Sequence, residues 1–336
     1  MSNLYVRELK KEEFNIWDNF VDESTNGHIF NKTNWTESYL LSDKKTKSLI
    51  VGCFKNEELV GGVNLCYITK WKTFNITIQL PSTPYNHIII KEKETKYISK
   101  NTNLNIKVTQ AIVRFLEKKF SYIHLTYPHE VTDIRGLIFN NFKSTVLYTY
   151  ATQLNNLDSI YDILDYSIKK RIKRGETLKY ELVVGDSDQE IKEFLKLEDL
   201  TYRRQGENKK ASNTQTFNFL NNIRGKIKFL VYIIKYEQKP VAGRIELFDG
   251  KTAFDWKAGA NPNYFETGLN QIIVWEIIKD VKDKGMEYFN FGGANTESIA
   301  SYKSKFNFQL TPYYSATKVV GIIPKLLFKI KEVIND

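Results

Sequence analysis

The chain has 336 residues, of which 42% are hydrophobic and 14% aromatic, and its formal net charge is +10. This length and apolar content are typical of a folded protein with two domains and exclude a disordered chain. No apolar run approaches the roughly 18 residues of a membrane span, and we expect no signal peptide at residues 1–9. Cys53 and Cys66 lie in an apolar region without CxxC spacing, so we expect reduced thiols and a cytoplasmic location.

Two stretches of the chain follow the same plan. The sequences LIVGCFKNEELVGGVNL at 49–65 and FLVYIIKYEQKPVAGRIEL at 229–247 each read as strand, polar turn and strand, which predicts a β-hairpin. Repetition on this scale predicts a duplicated α/β (α+β) unit, with mixed sheets flanked by helices. Each hairpin is followed by an amphipathic helix and a further strand, predicted at 108–119 and 121–126 in the first half and at 269–284 and 287–291 in the second.

The boundary between the two copies is placed near residue 150, where the sequence changes from strand-like to polar. This gives a first domain at 1–150, a second at 151–317 and a tail at 318–336. The tail contains a short amphipathic helix at 324–334, which can dock in the core, against the first domain or on a membrane surface. Further elements of the second half are predicted as helices at 162–174 and 188–203, a polar helix-and-loop region at 209–222 and a strand at 180–184.

A basic segment, Lys169–Arg174, ends the helix predicted at 162–174. It can be a solvated helix end, where positive charge complements the helix dipole, or a patch that contacts phosphates. The net charge has the same two interpretations. It favours polyanions such as tRNA, a nucleotide diphosphate or an anionic membrane face, and it is equally explained by a composition rich in Lys and Asn.

Several chemistries lack their sequence signature. The four histidines (His28, His87, His124 and His129) show no HxxxH or HExxH spacing, so we expect no catalytic metal. No GxSxG elbow, P-loop or GxGxxG motif follows a predicted strand. Acyl transfer to an amine requires less, because the donor is already activated and the protein need only align the partners and stabilise an oxyanion.

The second half offers groups suited to that reaction. Gly268 precedes a helix whose first N–H groups, at Leu269 and Asn270, can hold a pyrophosphate, although glycine is also an ordinary cap. Asp255 and Trp256 point to opposite faces of a strand, so Asp255 is a possible base and Trp256 a possible stacking surface. The alternative is an exposed acid beside a core Trp. Lys303 follows a strand that ends in Gly-Gly, where it can stabilise an oxyanion or remain solvated.

Four segments of the second half resemble, in order, the FemABX aminoacyltransferases and the related BioF2-like acetyltransferases, which are built from GNAT-type folds. In the first half, GHIFNKTNW is similar to the family's N-terminal segment that ends in Trp, here Trp35. The resemblance implies two tandem GNAT-like domains, with a substrate channel at or near their junction and a tail that returns to the first domain. The four segments are KRIKR with ELVVG (170–185), EDLTYRRQG (198–206), AFDWKAGA (253–260) and the stretch 289–306 with its Gly-Gly and YKSKF motifs.

The resemblance also implies roles for individual residues. Lys303 falls on the lysine that assists acyl transfer in this family, and Arg204 falls on an acceptor-binding arginine. Trp256 or Phe254 occupies the region of an acceptor-binding tyrosine. Phe306, which closes the YKSKF motif, and Trp35 complete the substrate-binding set. The chain differs from members that read a UDP-linked muramyl pentapeptide, because residues 36–39 (TESY) lack their lysine, and it has no coiled-coil arm.

We therefore expect an N-acyltransferase that acts on an amino group of a cell-envelope or polysaccharide precursor. No cofactor is expected to be bound permanently, and acyl-CoA is the favoured co-substrate because Gly268 is in place and the pentapeptide-reading lysine is missing. The first alternative is an aminoacyl-tRNA-dependent transferase that modifies a peptidoglycan precursor. The second is a non-catalytic module that binds tRNA or a glycan. The expected partners are the donor and an amino-sugar or nucleotide-linked acceptor but no DNA, and peripheral contact with the inner membrane face is left open.

Overall fold

The computed structural model describes residues 4–92, 94–209, 211–322 and 324. The tail helix predicted at 324–334 lies outside these residues except for Pro324. The chain divides into two compact units. Unit 1 comprises the chain up to Val146 and from Tyr313 onward, and unit 2 comprises Leu147–Pro312.

Both halves of the chain contain strands and helices in mixed order. The first half contains, in order, β1 (Leu4–Glu8), α1 (Phe14–Glu23), α2 (Thr33–Leu40), β2 (Lys47–Lys55), β3 (Glu58–Lys70), β4 (Phe74–Ile78), β5 (Ile89–Ile90), α3 (Ile98–Glu117), β6 (Tyr122–Thr126), α4 (Arg135–Ile138) and β7 (Lys143–Gln153). The second half contains α5 (Leu157–Ile163), α6 (Tyr166–Glu176), β8 (Tyr180–Gly185), α7 (Asp188–Gln205), α8 (Asn213–Ile223), β9 (Phe229–Tyr236), β10 (Lys239–Asp249), β11 (Thr252–Ala260), α9 (Leu269–Asp283), β12 (Tyr288–Gly293), α10 (Glu297–Ser304) and β13 (Gln309–Val319).

The sheet of unit 1 has the strand order β1-β2-β3-β4-β6-β13. Its neighbouring strands are antiparallel except for β4 and β6, which run parallel. Val108, Ile112 and Leu116 of α3 are fully buried in the same apolar cluster as residues of β2, β3 and β6. The first-half helix and hairpin therefore form one core.

The sheet of unit 2 repeats this pattern. Its order is β8-β9-β10-β11-β12-β7, and β11 and β12 form the parallel step among otherwise antiparallel neighbours. Its core joins the sheet to α6 and α9, with Ile172, Ile272 and Phe291 in one buried cluster. The predicted α/β class and the duplication of a mixed sheet are thus confirmed.

Two helices differ from the sequence prediction for identifiable reasons. The helix predicted at 108–119 begins ten residues earlier, at Ile98, because a polar turn-rich segment (ISKNTNLNIK) joins the apolar stretch without a break. The helix predicted at 162–174 is two helices, α5 and α6. Asp165 separates them because its side chain accepts a hydrogen bond of 2.8 Å from the Ser167 N–H and caps α6. None of the helices in the described residues is both long and apolar enough to cross a membrane.

Candidate active site in unit 2

The parallel pairing of β11 and β12 is short. It joins Thr252–Phe254 to Tyr288–Asn290 and ends there, although both strands continue. On its other side β12 has an irregular register with β7 between Asn290 and Gly292. Asp255 is the first β11 residue beyond the end of the pairing. The carboxyl ends of parallel strands, where neighbours part, are common ligand sites in α/β folds.

A cluster of charged side chains lies next to this point, and we call Arg244, Glu246, Asp255 and Lys303 the charge cluster. The first three are buried and Lys303 is half-buried. Glu246 of β10 lies directly opposite Asp255 of β11 in the antiparallel register, so their side chains share a face of the sheet. The guanidinium of Arg244 donates a hydrogen bond to Oδ2 of Asp255. The side chains of Arg244 and Asp255 are only 4% and 3% exposed, and Glu246 is fully buried.

Glu246 is the least expected member of the cluster. As ionised groups, its two carboxyl oxygens and Oδ1 of Asp255 would have no hydrogen-bond partner among the described residues. Burial, and then the neighbouring Asp255 carboxylate, raise the pKa of Glu246 well above its usual range. A protonated Glu246 can donate a hydrogen bond to Asp255, which satisfies both groups. The Asp255 carboxylate then balances the charge of Arg244, and Glu246 adds none.

Lys303 reaches the cluster from α10. Its ammonium donates hydrogen bonds to the carbonyl oxygens of Phe291 and, at 3.1 Å, Gly293, and it lies 5.0 Å from the centre of the Phe291 ring. Burial lowers the pKa of Lys303 to about 8; the Asp255 carboxylate acts in the opposite direction and the Arg244 guanidinium in the same direction as burial. Two of the three ammonium hydrogens are thus held by β12 carbonyls, and the third can be donated to a substrate.

Gly292 makes this approach possible. It has a φ of +77°, and a Cβ at this position would lie 3.3 Å from Nζ of Lys303 and 3.2 Å from the Asp255 carbonyl oxygen. A side chain here would be strained and would crowd the lysine. The Gly-Gly at the end of β12 therefore has a local structural purpose, which is to bring Lys303 against the strand.

The start of α9 is linked to the cluster through Tyr302. The hydroxyl of Tyr302 donates to the Asn270 carbonyl oxygen at 3.2 Å, and the pKa of Tyr302 is raised by burial. Leu269 is 1% exposed, and its N–H donates to Oγ1 of Thr267 at 3.2 Å. The predicted donor-binding segment Gly268–Asn270 thus lies one hydrogen bond from α10, which carries Lys303.

Close packing explains why residue 268 is glycine. Its φ is +85°, and a Cβ would lie 2.0 Å from the Arg171 carbonyl oxygen on α6. The guanidinium of Arg171 donates to the Phe265 carbonyl oxygen at 2.7 Å, which also ties α6 to the segment before α9. Gly268 therefore reflects the contact between α6 and α9, and pyrophosphate binding at α9 remains a prediction.

The other predicted residues are not gathered at the charge cluster. Arg204 is exposed at the end of α7, with its guanidinium 5.4 Å from the Phe265 ring centre. Trp256 is half-buried, and its ring lies 5.9 Å from Phe219 of α8. Phe254 is buried and points to the opposite face from its neighbour Asp255, whereas Trp256 lies at the register shift between β10 and β11, where regular alternation is interrupted.

Two of the predicted substrate-binding side chains lie in apolar cores. Phe306 is 1% exposed and packs 4.9 Å from the Phe291 ring in unit 2. Trp35 is 1% exposed in unit 1, where its Nε1–H donates to Oγ1 of Thr83 at 2.8 Å. Both have a packing role in this structure, and their contact with substrate remains a prediction.

Sequence reasoning missed Arg244 and Glu246. They alternate with Ile245 and Leu247 on β10, a pattern that usually indicates the solvated face of a half-buried strand. The available signal was the hairpin register, because pairing β10 with β11 sets Glu246 opposite Asp255. Two acids directly opposite each other repel unless one is protonated or a cation intervenes.

Comparisons with known proteins agree with this fold. A family model described as "Acetyltransferase (GNAT) domain" matches residues 165–304. The crystal structure of FemX superposes with a TM-score of 0.71 at 12% identity, covering 97% of this chain and 99% of that chain. A tandem GNAT protein from the clavulanic acid biosynthesis pathway superposes with a TM-score of 0.56 at 9% identity, covering 95% and 99%.

A third structure, L-PGS from Bacillus licheniformis, superposes with a TM-score of 0.57 at 13% identity, covering 98% of each chain. At these identities the superpositions establish the fold. No curated protein matches the chain by sequence. The family match spans all four members of the charge cluster and the start of α9. Residues 165–304 therefore match a GNAT acetyltransferase domain, and the chain as a whole has a FemX-like fold.

Proposed function

We propose that the protein is an N-acyltransferase that moves an acyl group from acyl-CoA to an amino group of a cell-envelope or polysaccharide precursor. The observation that carries the proposal is the placement of Lys303, which is held by two β12 carbonyls at the end of the β11–β12 pairing with one N–H available. At this location the available N–H of Lys303 can be donated to a substrate carbonyl oxygen that develops negative charge.

In this reaction the acceptor amine attacks the thioester carbon, and a C–N bond forms as the C–S bond breaks. The Lys303 ammonium donates a hydrogen bond to the oxyanion of the tetrahedral intermediate. As the C–S bond breaks, Lys303, whose pKa burial lowers to about 8, donates its proton to the departing CoA sulfur and becomes neutral. The neutral lysine then takes the proton that the new amide nitrogen releases, which restores the ammonium.

Asp255 has a different role from the base predicted from sequence. Its carboxylate is buried in an ion pair with Arg244, so accepting a substrate proton would leave the Arg244 charge uncompensated. We propose that the Arg244–Asp255 pair instead fixes the electrostatic surroundings of Lys303. Asp255 then acts as a positioning residue, and Lys303 is the catalytic one.

The choice of donor rests on the family match. The acyl-CoA donor is supported by the match of residues 165–304 to an acetyltransferase domain. The tRNA-dependent alternative is supported by the basic helix α6 and by the similarity in fold to FemX. Lys303 suits both donors, because an ammonium can protonate an alkoxide leaving group as well as a thiolate.

A thermal-shift panel tests the donor and the acceptor class. Acetyl-CoA, CoA, UDP-linked amino sugars and charged tRNA are added separately to the full chain. A ligand present at 100 times its Kd should stabilise the folded state by about 2.7 kcal/mol. Stabilisation by CoA compounds supports the proposal, whereas stabilisation by charged tRNA alone would favour the aminoacyl-tRNA-dependent alternative.

A transfer assay then tests Lys303. We expect Lys303→Ala to lower kcat by about 10² to 10³, the usual cost of losing one oxyanion donor. The matched control is Lys305→Ala, two residues along and exposed, which should retain activity. Equal activity of the two variants would remove the catalytic role of Lys303. The absence of transfer with every donor, together with salt-sensitive RNA binding, would favour the non-catalytic module.

A further inference from the structure

Unit 1 presents one tryptophan to solvent at the end of a hairpin. Trp71 is 71% exposed in the turn between β3 and β4. The other four tryptophans of the chain are half-buried or buried: Trp256 is half-buried, and Trp17, Trp35 and Trp275 are at most 9% exposed. A large apolar side chain left in water at a hairpin end is unfavourable in the isolated chain, so its position requires an explanation.

The backbone conformation of the β3–β4 turn is also unusual for a tryptophan. Trp71 and Lys72 both have positive φ, of +47° and +60°, in a three-residue turn closed by the Lys70–Phe74 pair. The two-residue β2–β3 and β9–β10 turns also have positive φ at two consecutive residues, in the polar pairs Asn56–Glu57 and Glu237–Gln238. Of these three turns, the β3–β4 turn is the one that carries an aromatic residue at a conformation that aromatic residues rarely adopt.

Lysines lie at the same end of the sheet as Trp71. Lys70 and Lys72 flank it, and the antiparallel register of β2 and β3 pairs Lys47 with Tyr67, which places the start of β2 at this end. Asp43, just before Lys44 and Lys45, accepts hydrogen bonds from the Lys45 N–H and the Thr46 hydroxyl. We define the tryptophan tip as Trp71 with five exposed lysines: Lys44, Lys45, Lys47, Lys70 and Lys72.

We propose that the tryptophan tip docks unit 1 onto a membrane surface rich in anionic lipid. An indole ring is most stable at the boundary between headgroups and acyl chains, because its ring is apolar and its N–H is polar. Lysines around it are attracted by the negative surface potential of such a membrane. The lysines of the tryptophan tip therefore supply the positive charge that complements an anionic membrane surface.

RNA is the competing partner for a basic surface with an exposed aromatic ring. Proteins that bind single strands combine a groove that follows the backbone with rings on which successive bases stack. The tip offers one exposed ring at a convex hairpin end, where Phe74 packs edge-on against Trp71 at 6.1 Å. A single ring at a protruding turn suits insertion into an interface better than stacking along a strand. The inference does not depend on the proposed reaction.

Co-sedimentation of the full chain with vesicles tests the proposal. Vesicles of phosphatidylglycerol and phosphatidylcholine are compared with vesicles of phosphatidylcholine alone. We expect binding to the anionic vesicles that weakens as salt rises, and we expect Trp71→Ser to lower it by about tenfold. Tyr166→Ser is the matched control, because Tyr166 is an aromatic residue of unit 2 with 78% exposure. Trp71 is exposed, so its variant should keep the thermal midpoint of the parent.

Tryptophan fluorescence gives a second readout. Transfer of Trp71 from water to the interface should shift the emission to shorter wavelength on anionic vesicles, and Trp71→Phe should lose this shift while it retains part of the binding. The double variant Lys70→Gln with Lys72→Gln should bind more weakly with a smaller salt dependence. The proposal would be overturned if the parent did not bind anionic vesicles, or if Trp71→Ser bound them as well as the parent does. It would also be overturned if a tryptophan-tip variant lost tRNA binding but kept vesicle binding.

Discussion

The hairpin β2–β3 of unit 1 and the hairpin β9–β10 of unit 2 have the same plan but opposite chemistry. Their second strands contain LVGG (59–62) and PVAG (240–243). The first and third residues after these motifs are Val63 and Leu65 in β3 and Arg244 and Glu246 in β10. All four are at most 3% exposed. Unit 1 shows that this hairpin folds with an apolar pair at these positions.

Buried charges are costly, because removing an ion from water carries a desolvation penalty that a partner only partly offsets. Apolar residues of similar size often give equal or greater stability at such sites. Since unit 1 has those residues, the charges of unit 2 are not needed for folding. We infer that they are kept for chemistry at the end of the β11–β12 pairing.

The largest expected effect comes from removing the one buried cation that pairs with Asp255. We expect Arg244→Ala to lower the free energy of unfolding by about 3–5 kcal/mol, because it leaves the Asp255 carboxylate buried and unpaired. The equivalent change in unit 1, Val63→Ala, removes two methyl groups and should cost about 1–3 kcal/mol. Urea unfolding of both variants measures the difference. Similar losses for the two would contradict a buried ion pair between Arg244 and Asp255.

Unit 1 has a buried titratable group of its own, His87, and it should respond to acid. Burial, and then the nearby His28, lower the pKa of His87 from an ordinary 6.5 to about 3. As the pH falls below 6.5, the unfolded chain therefore takes up a proton that the folded chain does not. Stability should decrease by up to about 1.4 kcal/mol per pH unit between pH 6.5 and 3 on account of this group.

Urea unfolding between pH 7.5 and 5 measures this slope, since most carboxyl groups stay ionised in that range. His87→Gln is the control, because glutamine can keep the hydrogen bond of 2.7 Å to the Asn26 carbonyl oxygen without titrating. We expect its slope to be lower by about one proton. An identical slope in the two proteins would show that His87 is accessible to protons in the folded state.

A smaller effect is expected when Glu246 of unit 2 is replaced by leucine, the residue that unit 1 has at the corresponding position, Leu65. Glu246→Leu should lower the free energy of unfolding by about 1–3 kcal/mol, because it removes the hydrogen bond to Asp255 but leaves the Arg244–Asp255 pair electrically balanced. The same variant should lower transfer activity, since the surroundings of Lys303 change. A loss of stability as large as that of Arg244→Ala would indicate that Glu246 is ionised and part of the ion pair.

The smallest effect concerns Arg204, which lies outside the charge cluster. If it binds the acceptor, Arg204→Ala should raise the acceptor KM a few-fold and leave kcat nearly unchanged. Arg203→Ala, the neighbouring arginine in the last turn of α7, is the control. A change in donor KM alone would count against an acceptor role.

The sequence predicted the fold better than it predicted the site. The alternation in 229–247 and the polar turn predicted β9 and β10, and the apolar period in 269–284 predicted α9 almost to the residue. These signals are local, so a single sequence contains them. The break at Asp165 was missed, because a helix cap and a helix-interior acid look alike in a basic amphipathic segment.

The site depends on contacts that no local pattern specifies. Lys303 was identified from its Gly-Gly context and from a family resemblance, and the resemblance is confirmed. Glu246 was missed because its partner is set by strand register, and its protonation follows from burial. Gly268 looked like a phosphate-binding glycine, whereas the carbonyl of Arg171 on α6 already requires it.

The central claim is that the Lys303 ammonium stabilises the transition state, and a pH–rate profile tests it most directly. In the parent, kcat/KM for acyl transfer should fall above pH 8, as Lys303 loses its proton with a pKa of about 8. Lys303→Arg carries a charge that persists to far higher pH, so its residual activity should not fall in that range. An alkaline decline at the same pH in both proteins would contradict the claim.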